Sequence, residues 1–502
     1  MNRNQEIASR QQDWGRNSRL RAFPQALCRC LRVPVVLLAI ALPATAAEPG
    51  ATPDPFAALI EAYDRAVPPG PDAEVYRSLL YRVMQRVRAT YALEIDPAPL
   101  VEAGVKSLAA HANESRPAVL YKRAVNAALS TLDPYSAVLD PDELKEFRNT
   151  VAGVFAGLGL EIDQFSGVVR VTGVIDDSPA AKAGLRAGDL ILRLDDTPTA
   201  GMALADASAR MRGEPGTQIT LFVRRPGQNG AYSEAALRLQ REIIQPRLLR
   251  GSFAGDALVL RLLRFAGHLK PQLDKAIDDA SAIRQPKGIV LDLRGNPGGT
   301  VNEAVALADT FLSQGEIVSM RGRIAGNSRR WIADSAERLP GIPMVVLLDG
   351  ASASASEIVA GALQDNGRAI VMGQRSFGKG SVQSVVPLGE NLGALRLTTA
   401  IYYTPGGRSV QRSGIAPDIE LVASRAPDAR APRREEDRRH ALPGTDAPLA
   451  SRTSVEQARC PLPPEGADRY LGCALVFLRD GSFESFARAL AGAVPPAAVP
   501  QP

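Results

Sequence analysis

Histidine is the scarcest chemically useful residue in this chain: 502 residues include only His111, His268 and His440. The first lies in a helical stretch, the second in a segment leading into an α/β region, the third in a polar tail. None flanks a candidate nucleophile, so a Ser-His-Asp triad is poorly supplied, and no Gly-x-Ser-x-Gly elbow is present. Cysteine is nearly as rare, with four residues at 28, 30, 460 and 473. Two cysteines without neighbouring histidines make no zinc site, so no metal is expected. No glycine-rich loop ends in Gly-Lys-Ser/Thr, which removes the phosphate-cradle reading, and no cofactor is called for. Net charge is only +5, from 59 basic and 54 acidic side chains without a basic stripe. Nucleic acid is therefore not an expected partner.

Long hydrophobic runs are also missing. The longest, Val33 to Leu42, is half of the about 20 residues a membrane span needs. Arginines at 19, 21, 29 and 32 precede it, and Ala44-Thr45-Ala46 follows. This is the pattern of a cleavable secretory signal over residues 1–46, and it predicts an exported, periplasmic protein. An uncleaved N-terminal anchor is the alternative. Cys28 and Cys30 leave with such a signal. In an oxidising compartment the remaining pair, Cys460 and Cys473, can close a small loop, with two buried thiols as the alternative.

Residues 47–149 read as a Pro/Ala/Gly-rich leader and then a helical region, with apolar residues at helical spacing such as Leu79, Leu80, Val83 and Val87. Across 150–242, short alternating strands are separated by glycine and proline turns. Over 243–423 buried strands alternate with helices, an α/β pattern. Residues 424–451 are rich in Arg, Pro and acid and read as a disordered linker. A small helical segment, 452–502, closes the chain.

Chemistry concentrates in the α/β stretch. The apolar run Pro343 to Asp349 predicts a central buried strand, and helical periodicity resumes at Ile358. Ser352, Ser354 and Ser356 lie on the turn between, where helix N-terminal N–H groups point at one spot. Ser354 with Glu357 also fits a plain capping box. A second strand-to-helix turn, Arg294-Gly295-Asn296-Pro297-Gly298-Gly299, can supply oxyanion donors. Lysine can replace histidine as base if its pKa falls, since at its ordinary value roughly one in 2,500 is neutral at pH 7. Lys379 sits between two glycines after the strand Ala369 to Met372, with Gln383 four residues on.

The strings SASASEIVAGALQDNGRA and SFGKGSVQ resemble those of the carboxyl-terminal processing, or tail-specific, protease family. LDLRGNPGG at 291–299, YYTPGGRSVQRSGIAPD at 402–418 and LDPYSAVLDPDELKEF at 132–147 are similar too. The likeness covers about residues 55 to 423. It implies a multidomain α/β protein with a ClpP/crotonase-like protease core. It implies Ser354 as nucleophile, Lys379 as general base and Gln383 as the residue positioning the lysine. Ala355 N–H with Gly298 or Gly299 would form the oxyanion hole, and Asp365 would be a supporting residue. Asp349-Gly350-Ala351 stands where relatives often have Asn-Gly-Gly, a departure that touches the approach to the serine.

Residues 151–241 resemble a circularly permuted bacterial PDZ domain. Leu158, Gly159 and Leu160 look like its carboxylate-binding loop, which captures a peptide C-terminus while the peptide adds as a strand. The resemblance implies a Ser–Lys serine endopeptidase acting on proteins with apolar C-termini. A catalytically silent PDZ scaffold is the alternative. The sequence leaves open a homo-oligomer or an activating adaptor protein.

Overall fold

The computed structural model describes residues 54–491, apart from 112, 228–230, 335, 423–432, 446–448 and 464–465. The expected signal (1–46) and the leader up to residue 53 lie outside the described residues. Five helices open the described chain: Ala57–Ala66, Pro71–Thr90, Pro97–Ala110, Pro117–Leu129 and Pro141–Ala152. Four begin on proline, whose fixed φ and missing N–H suit the first helical position. The prolines at 71 and 97, which interrupt the apolar pattern in sequence, are thus helix starts. The helices bury Leu79, Leu80, Val83 and Val87 in a cluster that extends to Leu395 and Leu397 of the α/β region. Strand Ala137–Leu139 pairs antiparallel with strand Ala394–Tyr403. Helical region and α/β region therefore share a core and a sheet.

The main sheet has seven strands, in the order Leu249–Ala254, Ala257–Leu262, Gly288–Asp292, Met344–Leu348, Ile370–Gly373, Ile419–Val422 and Thr453–Glu456. All neighbours are parallel except the first pair. Strand Met344–Leu348 is buried throughout because both faces are covered. Met344, Val346 and Leu348 pack with helices Leu269–Ile283, Val301–Thr310 and Ala355–Asp365. Val345 and Leu347 pack with Cys460, Cys473, Phe477 and Phe486. Such a strand must read as one apolar run.

The C-terminal part consequently differs from the expected separate segment. Strand Thr453–Glu456 extends the main sheet, and helices Arg469–Asp480 and Phe483–Ala491 cover its second face. Cys460 and Cys473 are disulfide-bonded. Within the span expected as disordered linker, residues 433–445 run along the core and touch it at a few positions. Glu435 is fully buried, and Ala441 and Leu442 are buried too. Low hydrophobicity hid this because the segment is held by hydrogen bonds and by only two apolar residues, Ala441 and Leu442.

A second sheet joins Ala137–Leu139, Ala394–Tyr403, Glu316–Arg321 and Arg329–Ile332, with Ser381–Pro387 on Ala394–Tyr403. Between residues 155 and 244 lies a β-rich module whose sheet runs Leu160–Phe165, Val168–Val174, Leu190–Leu194, Gln218–Pro226 and Tyr232–Gln240. It has its own core, including Leu158, Val169, Ile191 and Leu221. Exposed ion pairs link it to its surroundings, among them Lys145–Glu214 at 2.6 Å and Arg250–Glu161 at 3.8 Å. Pairs of that kind contribute little to stability.

Candidate active site

The three serines of the turn have different fates. Ser352 and Ser356 are fully buried. Ser352 Oγ donates to Leu293 O at 2.9 Å, and Ser356 Oγ donates to Asn296 O at 3.0 Å. Both thereby fasten the turn to the glycine-rich loop after strand Gly288–Asp292. Asp349 adds to the same joint, accepting from Gly295 N at 3.0 Å and Ser352 N at 3.0 Å. The aspartate that departs from the family pattern is thus a fastener between the two turns.

Ser354, between them, is partly exposed and sits at φ 55°, ψ −110°. A non-glycine residue there stores about 1–3 kcal/mol of strain, which neighbouring contacts must hold. Among the described residues no side chain reaches its hydroxyl. Its N–H donates to Glu357 Oε2 at 2.7 Å, while Glu357 N–H donates to the Ser354 carbonyl at 2.9 Å. The glutamate half of a capping box is real, but Glu357 does more than cap.

Fully buried, Glu357 also accepts from Ser376 Oγ at 2.6 Å, Gly378 N at 2.7 Å and Lys379 N at 3.0 Å. One carboxylate oxygen is therefore shared by the backbone N–H groups of Ser354 and Lys379. Burial pushes this carboxyl upward, and the donated hydrogen bonds pull it back. Tyr402 OH donates to Lys379 O at 2.7 Å and lies 3.1 Å from Ser354 O. The two loops that sequence spacing could only suggest are neighbours, clamped by Glu357 and Tyr402.

Lys379 Nζ donates to Gln383 Oε1 at 3.0 Å, and Gln383 Nε2 donates to Ser381 Oγ at 3.1 Å and Thr398 Oγ1 at 3.2 Å. Strand Ser381–Pro387 thus orients the amine. Burial brings the lysine down to about 8; Arg396 works the same way, and Glu435, Glu357 and Asp133 oppose it. Roughly a tenth of such amines are neutral at pH 7.

Gly298 abuts the serine turn. A Cβ there would lie 2.5 Å from Ala353 O and 2.8 Å from Ala355 N, and its φ is +93°. Its N–H donates to Asn296 Oδ1 at 2.8 Å, with the buried Asn296 held by Leu262 O. Gly299 instead presses on Phe265, where a Cβ would meet the carbonyl oxygen at 1.8 Å. Asp365 stands at the far end of helix Ala355–Asp365, accepting from Arg408 and from Gly406 N at 2.8 Å. It secures a turn and is not brought to Ser354.

In the β-rich module, Leu158 is buried in the core, while Leu160 is partly exposed. Gly159, at φ +80°, would drive a Cβ to 2.3 Å from Ser178 Cβ. Leu158 O accepts from Ala180 N at 3.0 Å, fixing the loop to the Ser178–Pro179 turn. Leu160–Phe165 is an end strand of its sheet, with one edge unpaired. None of the three histidines hydrogen-bonds Ser354; His268, for example, faces Ala152 O and Pro246 O. Among the described residues no cluster could hold a metal ion, and no helix is long and apolar enough to cross a membrane.

A strained, partly exposed serine at a strand-to-helix turn, a desolvated lysine on the loop clamped to that turn, and a β-rich module with an unpaired sheet edge point to the class of serine-type peptidases with a PDZ domain. Residues 256–421 match the profile of Peptidase family S41, and 170–225 match the PDZ domain profile. The chain is 45% identical over 303 residues to a carboxy-terminal-processing protease of Bartonella bacilliformis, covering 60% of this chain and 69% of that protein. It is 31% identical over 307 residues to carboxy-terminal processing protease CtpB of Bacillus subtilis, covering 60% and 63%. A solved photosystem II D1 C-terminal processing protease is similar at 27% identity and a TM-score of 0.44, covering 70% and 94%. The chain belongs to Peptidase family S41, among the carboxy-terminal processing proteases.

Proposed function

We propose that this chain is a serine endopeptidase that engages protein C-termini through its PDZ domain and cleaves by a Ser–Lys acyl-enzyme mechanism. The observation that carries the reading is the shared Glu357 oxygen, which joins the Ser354 turn to the loop of a lysine held near 8. Neutral Lys379 takes the Ser354 Oγ proton as the oxygen attacks the scissile carbonyl. The resulting oxyanion is received by Ala355 N–H and by the Gly298–Gly299 turn, where Gly298 N–H exchanges Asn296 Oδ1 for it. Collapse of the intermediate breaks the C–N bond, and the lysine ammonium returns its proton to the leaving amine. Water then attacks the acyl carbon as the same lysine takes its proton, and the ammonium returns that proton to Ser354 Oγ as the ester C–O bond breaks. Gln383 keeps the amine aimed throughout.

The unpaired edge of Leu160–Phe165 accepts an apolar tail as an added strand, with the loop at Leu158-Gly159-Leu160 receiving its carboxylate. The Arg-rich, apolar, Ala-Thr-Ala sequence of residues 1–46 supports export to the periplasm. To test the reading, the full chain, Ser354→Ala and Lys379→Ala are incubated with an unfolded substrate ending in apolar residues and with the same substrate lacking its tail. Cleavage lost in both variants and reduced without the tail is expected. Cleavage surviving Lys379→Ala contradicts the base assignment, and tail binding without cleavage by any form favours a peptide-binding scaffold.

A further inference from the structure

Lys379 has a second neighbour besides Gln383. Its Nζ lies 4.3 Å from the centroid of the Tyr135 ring, in a cation–π arrangement. The Tyr135 hydroxyl donates to Glu435 Oε2 across 300 positions of sequence. Glu435 has no exposed surface, and its Oε1 accepts from Gln411 Nε2 at 3.1 Å. Gln411 Oε1 in turn accepts from Gly380 N at 2.9 Å, one residue beyond the lysine. Glu435 N–H donates to Phe377 O at 3.1 Å, two residues before it. A closed circuit therefore runs from the lysine loop through Gln411, Glu435 and Tyr135 and back over the ammonium. Arg434 ties the same segment down by donating to Ser413 O at 3.1 Å, and Leu442 anchors its other end in the helical core.

We propose that residues 433–444 form a wall of the catalytic centre, in which Glu435 is a positioning residue that acts on Lys379 through Tyr135. The inference rests on Lys379 being the base. A buried carboxylate so placed has two effects: it fixes the ring face over the amine, and it favours the ammonium. The other groups facing Lys379 are Arg396, which disfavours the ammonium, and Glu357 and Asp133, which favour it. Arg438 completes the surroundings, 5.7 Å from the Tyr135 ring centroid and 3.9 Å from Glu435. Removing the Glu435 charge therefore makes Lys379 easier to deprotonate.

The experiment measures, against pH, the rate at which a fluorophosphonate inactivates the full chain, alongside kcat/KM on a peptide. Wild type, Glu435→Gln, the double variant Tyr135→Phe/Glu435→Gln and Lys379→Ala are compared, with melting curves for each. Wild-type rates should rise with pH through about 8. Glu435→Gln should move that limb to lower pH by roughly one to two units, the size expected for one charge on the far side of a tyrosine ring at an effective dielectric of about 20. A purely structural role would lower the rates and leave the limb in place, and that result overturns the proposal. If Glu435→Gln alone does not fold, the double variant Tyr135→Phe/Glu435→Gln decides, because it removes the charge while keeping the ring and leaves no tyrosine hydroxyl unpaired. Its limb should shift in the same direction, and an unmoved limb again overturns the proposal. A limb that persists in Lys379→Ala would instead show that the Ser–Lys reading itself is wrong.

Discussion

Replacing Lys379 by methionine should abolish activity and, at neutral pH, strengthen the fold. The lysine falls from an ordinary 10.5 to about 8, chiefly through burial. At about 1.4 kcal/mol per unit, the ammonium costs the native state about 3 kcal/mol wherever it is charged in both states. Its folded pKa lies below the unfolded one, so the unfolded chain binds more protons between pH 8 and 10.5. Wild-type stability must rise with pH across that window, whereas methionine has no such dependence. Some of the gain at pH 7 is offset, because Gln383 Oε1 loses a donor and Tyr135 loses a cation, at about 1 kcal/mol each. The pH-dependent part is free of those offsets. Urea unfolding of both proteins at pH 7 and 9.5 should show the methionine variant's advantage shrinking by about 2 kcal/mol. A stability difference that stays constant between these pH values would refute the claim that the lysine is desolvated.

Glu357→Gln keeps shape but sets an amide N–H against two donors, so we expect a loss of about 3–5 kcal/mol and of activity; a variant within 1 kcal/mol of wild type would mean the carboxyl is held protonated. Ser356→Ala should cost about 1 kcal/mol by removing one of the two donors to Asn296 O, the other being Ala353 N–H, while leaving Ser354 reactive, whereas Ser354→Ala should end fluorophosphonate labelling without lowering the melting temperature. Reducing the Cys460–Cys473 bond, which spans 13 positions, should destabilise by about 3 kcal/mol. It should also weaken the hold of Asp468 on Arg294, now 2.6 Å apart, and chemical denaturation with parallel peptidase assays reads both effects.

The central strand, the two glycine-bearing turns and the helical start were legible because each is encoded locally. A strand buried on both faces reads as an apolar run, and the opening helices show apolar residues at helical spacing, although their prolines read as breaks and are in fact helix starts. That Ser354 and Lys379 lie on adjoining loops was legible only through family resemblance, since spacing alone does not place two loops together. Glu357 was visible as a cap residue. That its carboxylate also holds the lysine loop could not be read, because its partners are backbone groups of any residue type. The role of the C-terminal helices was hidden for a different reason. Their apolar stripes cover strand positions Val345 and Leu347, which look the same in sequence as the positions facing the other way. Glu435 was least legible, since one long-range contact to Tyr135 turns a polar, proline-rich stretch into part of the site. Gly298 and Gly299 could not be told apart until their neighbours, Ala355 and Phe265, were in place.

The most direct test of the account is the site and pH dependence of covalent labelling by a fluorophosphonate, read by mass spectrometry of digested full-length protein. The account predicts a single adduct on Ser354, forming faster as pH rises through about 8, and none in a folded Lys379→Ala variant. An adduct on another serine, or undiminished labelling of Ser354 without Lys379, would contradict it.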